Sequence, residues 1–107
     1  MTAVEKFIKT TNSKDIEGAL EIFTNDAIIN DPSVGSSFDG IDQVRVYVER
    51  FFVGYNTTTK LLRTEQITEN SVKAYVDFTG DFGHETGYLQ FETNGDGLII
   101  RVDADLD

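Results

Sequence analysis

A chain of 107 residues with 19 acidic and 9 basic side chains carries a formal charge of -10, is 39% hydrophobic and holds no cysteine. That length supports one domain with a small core. The charge excludes nucleic acid and anionic membrane as partners, because phosphate would repel the chain at long range, and the missing thiols exclude disulfides and thiolate metal sites. No basic segment precedes an apolar run at the N-terminus, and no apolar stretch approaches the roughly 18 residues of a membrane span. The expectation is therefore a soluble, cytoplasmic domain.

Thr2 to Glu5 has the spacing of a capping box. Val4, Phe7 and Ile8 follow at helical spacing, which predicts a first helix to about Thr10. Asn12-Ser13 breaks it and caps a second, whose stripe is Ile16, Ala19, Leu20 and Phe23, closed by Thr24-Asn25. Ala27 to Asp31 is a strand ended by Pro32, the only proline. Ser33 to Asp39 reads as a loop. Asp39 or Gly40 opens a third helix with Ile41, Val44, Val48 and Phe51 on one face, Tyr47 beside them, and Gly54 at its end.

From Thr57 the period becomes two. Thr57 to Ile67 is a first long strand, and Glu69-Asn70 a turn. Val72, Ala74, Val76 and Phe78 alternate with polar neighbours. Gly80 to Gly83 turns the chain. Gly87, Leu89 and Phe91 then share one face, and Asn94-Gly95-Asp96-Gly97 signals a hairpin. Val102, Ala104 and Leu106 close the series. Helices followed by an antiparallel meander define an α+β domain spanning 1–107, with the helices packed on one sheet face.

Asp31 shares strand parity with Ala27 and Ile29, so it is a carboxylate on the last inward position of an apolar strand. A general base belongs in such a place. So does an Asp that opens a turn. No Asp, Glu and His grouping has metal-ligand spacing, and no phosphate loop or serine-nucleophile motif occurs.

The run Phe23-Thr24-Asn25-Asp26-Ala27-Ile28-Ile29-Asn30-Asp31-Pro32, with Val34-Gly35-Ser36 after one extra Ser33, then Phe38-Asp39-Gly40 and the Asn-Gly-Asp-Gly hairpin, resembles the nuclear-transport-factor-2-like superfamily. Within it the chain is most similar to the SnoaL-like and ketosteroid-isomerase-like branch, over nearly its whole length. The resemblance implies a cone: a strongly bent antiparallel sheet wrapped around three N-terminal helices, with an apolar pocket for a small apolar molecule. It implies a homodimer through the outer sheet face, no cofactor and no metal. It also implies that Asp31 shuttles a proton at carbon, as an isomerase or cyclase. Phe7, Tyr47, Phe51, Val76, Phe78, Leu89, Phe91, Val102, Ala104 and Leu106 are the expected pocket lining.

The chain departs from that branch where it supplies two hydrogen-bond donors to an enolate. Those positions fall on Phe7 and Leu89, and neither can donate. Losing one such donor costs about 2.7–4 kcal/mol of transition-state stabilisation, so steroid isomerisation is expected to be negligible and a non-catalytic binding module is the rival reading. Arg101, Asp103 and Asp105 hint at the Asp–Arg–Asp arrangement of the limonene epoxide hydrolases, but they have the outward parity and Ala104 takes the inward place. His84 is expected in a solvated turn and Glu85 at the pocket rim. The hydroxyl of Tyr47 is expected in solvent, with presentation to a ligand the alternative. Tyr75 and Tyr88, with Thr79 and Thr86, form an amphipathic patch on the outer face.

Overall fold

The computed structural model describes residues 2–107. Helix α1 (Ala3–Asn12) starts at the capping box, with Thr2 and Glu5 bonding each other's main-chain N–H reciprocally. Helix α2 (Ile16–Leu20) is capped by Asp15. It stops short of the expected Phe23, which instead opens strand β1 (Phe23–Asp31). The competing partner is the last strand: Phe23 pairs with Ile99, and the Ile99 N–H donates to the Ile22 carbonyl at 2.8 Å.

The segment expected to be a loop holds a short 3-10 turn at Pro32–Val34 and strand β2 (Ser36–Asp39), antiparallel to β1. Its serines hide it from pattern reading, since only Phe38 is buried. Gly40, at φ +88°, passes its N–H to the Ala27 carbonyl at 2.8 Å and starts helix α3 (Ile41–Val48). The chain then widens into a π turn over Glu49–Gly54 rather than continuing as α-helix to Gly54. The Thr57 N–H reaches back five residues to the Phe52 carbonyl, and Lys14 Nζ caps that same oxygen at 3.0 Å. The wider turn rotates Phe52 into the core and leaves Phe51 half-buried beside it.

Strands β3 (Thr58–Thr68), β4 (Ser71–Gly80), β5 (Gly83–Thr93) and β6 (Ile99–Leu106) form the expected antiparallel meander. The sheet order is β2-β1-β6-β5-β4-β3. One pair departs from the antiparallel expectation: β1 lies parallel to β6, which the long connection between them permits. Register breaks at Leu61/Arg63, Gln66/Thr68 and Glu92/Thr93 supply bulges, and the six strands make a strongly bent, unclosed sheet around the helices. Gly87 lets β5 and β6 approach, since a Cβ there would lie 2.2 Å from the Asp105 carbonyl oxygen.

The core is centred on Phe7. Its ring meets those of Phe23, Phe52 and Phe91 edge-on, at 6.0, 5.4 and 5.4 Å between centroids. Val76, Leu89, Val102 and Ala104 close it from the sheet side, all buried. No helix among the described residues is long and apolar enough to cross a membrane.

Candidate functional site

Ala27 and Ile29 are fully buried on β1, and the same face delivers Asp31 with 6% of its surface exposed. Pro32 then fixes the first position of the 3-10 turn, and Asp31 caps it. Oδ1 of Asp31 accepts from the Ser33 main-chain N–H at 3.0 Å and from the Ser33 hydroxyl. Gly35, at φ +70°, closes the turn. Both readings of Asp31 thus meet in one side chain, because its other oxygen is turned to α3. There the Tyr47 hydroxyl donates to Oδ2 at 2.7 Å.

Tyr47 is 3% exposed, so its hydroxyl does not sit in solvent as expected. Its ring is wedged against Phe38, Phe51 and Phe52, with centroids 5.1, 5.2 and 5.9 Å away. Burial pushes the phenol well above its ordinary pKa, and the charge and hydrogen bond of Asp31 push the same way. Tyr47 is therefore a donor that stays protonated. A carboxylate offers about four acceptor positions. Ser33 takes two and Tyr47 one, so one position on Oδ2 remains for a proton or a ligand.

Beside this pair lies a cavity of about 300 Å³. Asp31, Tyr47, Phe51, Phe52 and Thr57 line its inner part, and Phe78 and Glu85 come from the paired ends of β4 and β5. Val34, Tyr55, Phe82 and Leu106 ring the mouth, each between 37% and 44% exposed. Of the ten residues expected to line a pocket, Tyr47, Phe51, Phe78 and Leu106 do so. Phe7, Val76, Leu89, Phe91, Val102 and Ala104 do not. They lie deeper in the cone, where Phe52 and its neighbours pack the interior solid. Phe91 borders instead a smaller hollow of about 150 Å³ beside Ala3 and Val72. The two positions that lack donors, Phe7 and Leu89, are thereby sealed from the cavity.

Ser33, Val34, Phe52, Tyr55, Thr57 and Phe82 join the wall without having been expected there. The Asp-Pro-Ser spacing carried the signal for Ser33. The π turn that delivers Phe52, Tyr55 and Thr57 left no periodicity to read. Glu85 stands exposed at the mouth. His84 faces the outer side, with Nε2 2.7 Å from Asp77 Oδ1, and does not reach the cavity. Arg101 and Asp103 also face outward in a two-pronged pair at 2.8 and 2.9 Å, and Arg101 holds the Asp103 carboxyl below its usual range. Among the described residues no group of three His, Asp or Glu side chains could hold a metal ion.

A bent sheet that closes on its helices at one end and leaves a carboxylate-bearing apolar hollow at the other defines a class of small, cone-shaped pocket proteins. The sequence matches the SnoaL-like domain over residues 4–102, and the chain belongs to that family. No curated protein matches it in sequence. Among solved structures, a Mycobacterium tuberculosis protein in complex with estradiol-17beta-hemisuccinate superposes with a TM-score of 0.85 at 19% identity, covering 95% of this chain and 88% of that one. The epoxide hydrolase/cyclase-like enzyme SalBIII, of pyran ring formation in salinomycin, gives 0.86 at 18% identity, covering 98% and 88%. An NTF2-like protein of unknown function from Cytophaga hutchinsonii gives 0.82 at 14%, covering 98% and 87%. At these identities the likeness establishes the fold.

Proposed function

We propose that the chain takes a small, largely apolar ligand into this cavity and transfers a proton at carbon, in the manner of an isomerase or cyclase, with Asp31 as the base. The observation that carries this is the Asp31–Tyr47 pair: a nearly buried carboxylate with one acceptor position left, lining an apolar hollow open to solvent. In the reaction, Asp31 Oδ2 accepts the proton of a C–H bond next to a carbonyl. The bonding pair moves onto the carbonyl oxygen as an enolate. The carboxylic acid then returns the proton to a second carbon, or the enolate carbon closes a ring on a second carbonyl carbon of the same molecule, whose π pair moves onto its oxygen and takes the proton back from Asp31. With Phe7 and Leu89 unable to donate, Tyr47 is the buried hydroxyl nearest the reacting centre, and it must leave Asp31 to reach an enolate oxygen.

The test is exchange in heavy water with a panel of small cyclic ketones and β,γ-unsaturated ketones, read by proton NMR. Loss of the α-proton signal faster than in buffer of equal carboxylate concentration is the expected result. Ketones that bind without exchanging would favour the rival, a non-catalytic binding module, which the sealed donor positions support.

The reading extends to a homodimer through the outer sheet face. Tyr75 and Tyr88 pair across β4 and β5 there, with Arg63 3.8 Å over the first ring and Lys73 4.2 Å from the second. Two tyrosines with an arginine over one ring suit an interface. Light scattering at micromolar concentration should give twice the chain mass, and a single-chain mass removes the dimer.

A further inference from the structure

The cavity wall combines aromatic rings with carboxylates. Six of its twelve lining side chains are aromatic: Tyr47, Phe51, Phe52, Tyr55, Phe78 and Phe82. Two more, Asp31 on the inner wall and Glu85 at the mouth, are carboxylates. Among the described residues no Lys, Arg or His lines it. Two basic groups contact residues of its wall from the structure around it. Lys14 is bonded to the main-chain oxygens of Phe52 and Thr57, and Arg50 lies 5.9 Å from the Phe51 ring. Neither lines the cavity.

We infer that the preferred occupant is an organic cation: an amine or quaternary ammonium on an apolar, ring-sized body. The inference rests on reading the cavity as a ligand site and names the class of ligand it selects. Three physical terms act together. Aromatic rings attract a cation through their negative faces and repel an anion placed there. Glu85, exposed on the cavity wall, offers a carboxylate that can bond an ammonium, and the Asp31 carboxylate on the same wall attracts the cation without giving up its free acceptor position. The net charge of -10 draws cations towards the chain and slows anions. A carboxylate or phosphate entering the same space would meet two like charges with no basic side chain on the wall to offset them.

The experiment uses three indoles of nearly one shape: tryptamine as the cation, tryptophol as the neutral alcohol and indole-3-propionate as the anion. The protein holds no tryptophan, so indole fluorescence anisotropy, excited beyond the tyrosine band, reports binding with no indole signal from the chain. At physiological ionic strength tryptamine should bind at least tenfold more tightly than tryptophol, and indole-3-propionate should not bind measurably. Glu85→Gln should shrink the tryptamine preference several-fold and leave tryptophol unchanged. Equal binding of tryptamine and tryptophol would overturn the charge selection and leave the apolar cavity standing. Tightest binding of the propionate would overturn it too. A tryptamine preference that survives Glu85→Gln and Asp31→Asn together would place the effect on the chain's net charge and overturn its assignment to the cavity. Binding of none of the three would remove both this inference and the ligand site on which it rests.

Discussion

Asp31→Asn should cut proton exchange on any active ketone by roughly 10²–10⁴-fold, the usual contribution of a positioned general base, while the fold persists. The two side chains are nearly the same size. The amide oxygen of Asn can still accept from the Ser33 N–H and hydroxyl, so the turn that ends β1 keeps its cap. On the other side an amide N–H would face the Tyr47 oxygen and donate to it, and Tyr47 would then lack an acceptor for its own hydrogen. What the variant loses is the capacity to take a proton from carbon. Far-UV circular dichroism should therefore match that of the native chain, and stability should fall by no more than the charged bond to Tyr47 contributes, about 1.5–3 kcal/mol, while exchange falls to the buffer rate. An Asp31→Asn protein that exchanges as fast as the native one would sink the assignment of the base, wherever the ligand binds.

The parts of this molecule that follow period and capping were legible in the sequence. Thr2–Glu5 announces α1, and alternation announces β4, β5 and β6 with the correct faces inward. The inward place of Asp31 follows from the parity of Ala27 and Ile29 and from the halt imposed by Pro32. What was not legible depends on partners far along the chain. Phe23 fits a helical stripe with Ile16, Ala19 and Leu20, yet pairing with Ile99 takes it into β1. Ser36 to Asp39 has no strand pattern, and becomes one because β1 offers it an open edge.

The site shows the same division at finer scale. Helical spacing placed Phe7, and strand parity Val76, Leu89, Phe91, Val102 and Ala104, on the correct face, but neither says how far along the cone the interior is filled. The π turn decides that. By admitting one extra residue per turn, it puts Phe52 against Phe7 and brings Tyr55 and Thr57 to the wall. The hollow is consequently confined to the end where β1, β4 and β6 run out. Chemistry that needs donors deep in the cone has no access to them here. Chemistry at the Asp31 end does, and its character is set by Tyr47.

Tyr47→Phe measures that character directly. At neutral pH the substitution removes a hydrogen bond to a charged, nearly buried oxygen, a loss of about 1.5–3 kcal/mol. Removing the hydroxyl leaves the ring packing against Phe38, Phe51 and Phe52 in place, so the cost is that of the bond together with the Asp31 oxygen left without it. The pH dependence separates this from a general loosening of the core. The phenol is raised well above its ordinary value of 10.0, first by burial and then by Asp31. In the unfolded chain it ionises near that ordinary value; in the folded chain it does not. Below pH 10 both states hold the proton, and the native contribution is present in full. As the pH climbs towards the folded value the unfolded state sheds the proton first, and stability falls by about 1.4 kcal/mol per pH unit. The Phe variant has no such proton. The stability gap between the two proteins, measured by urea unfolding, should therefore be constant from pH 7 to about 10 and narrow steeply above it. Two curves that run parallel through pH 11 would mean that Tyr47 ionises alike folded and unfolded, and the buried Asp31–Tyr47 pair could not then be the polar centre of the site.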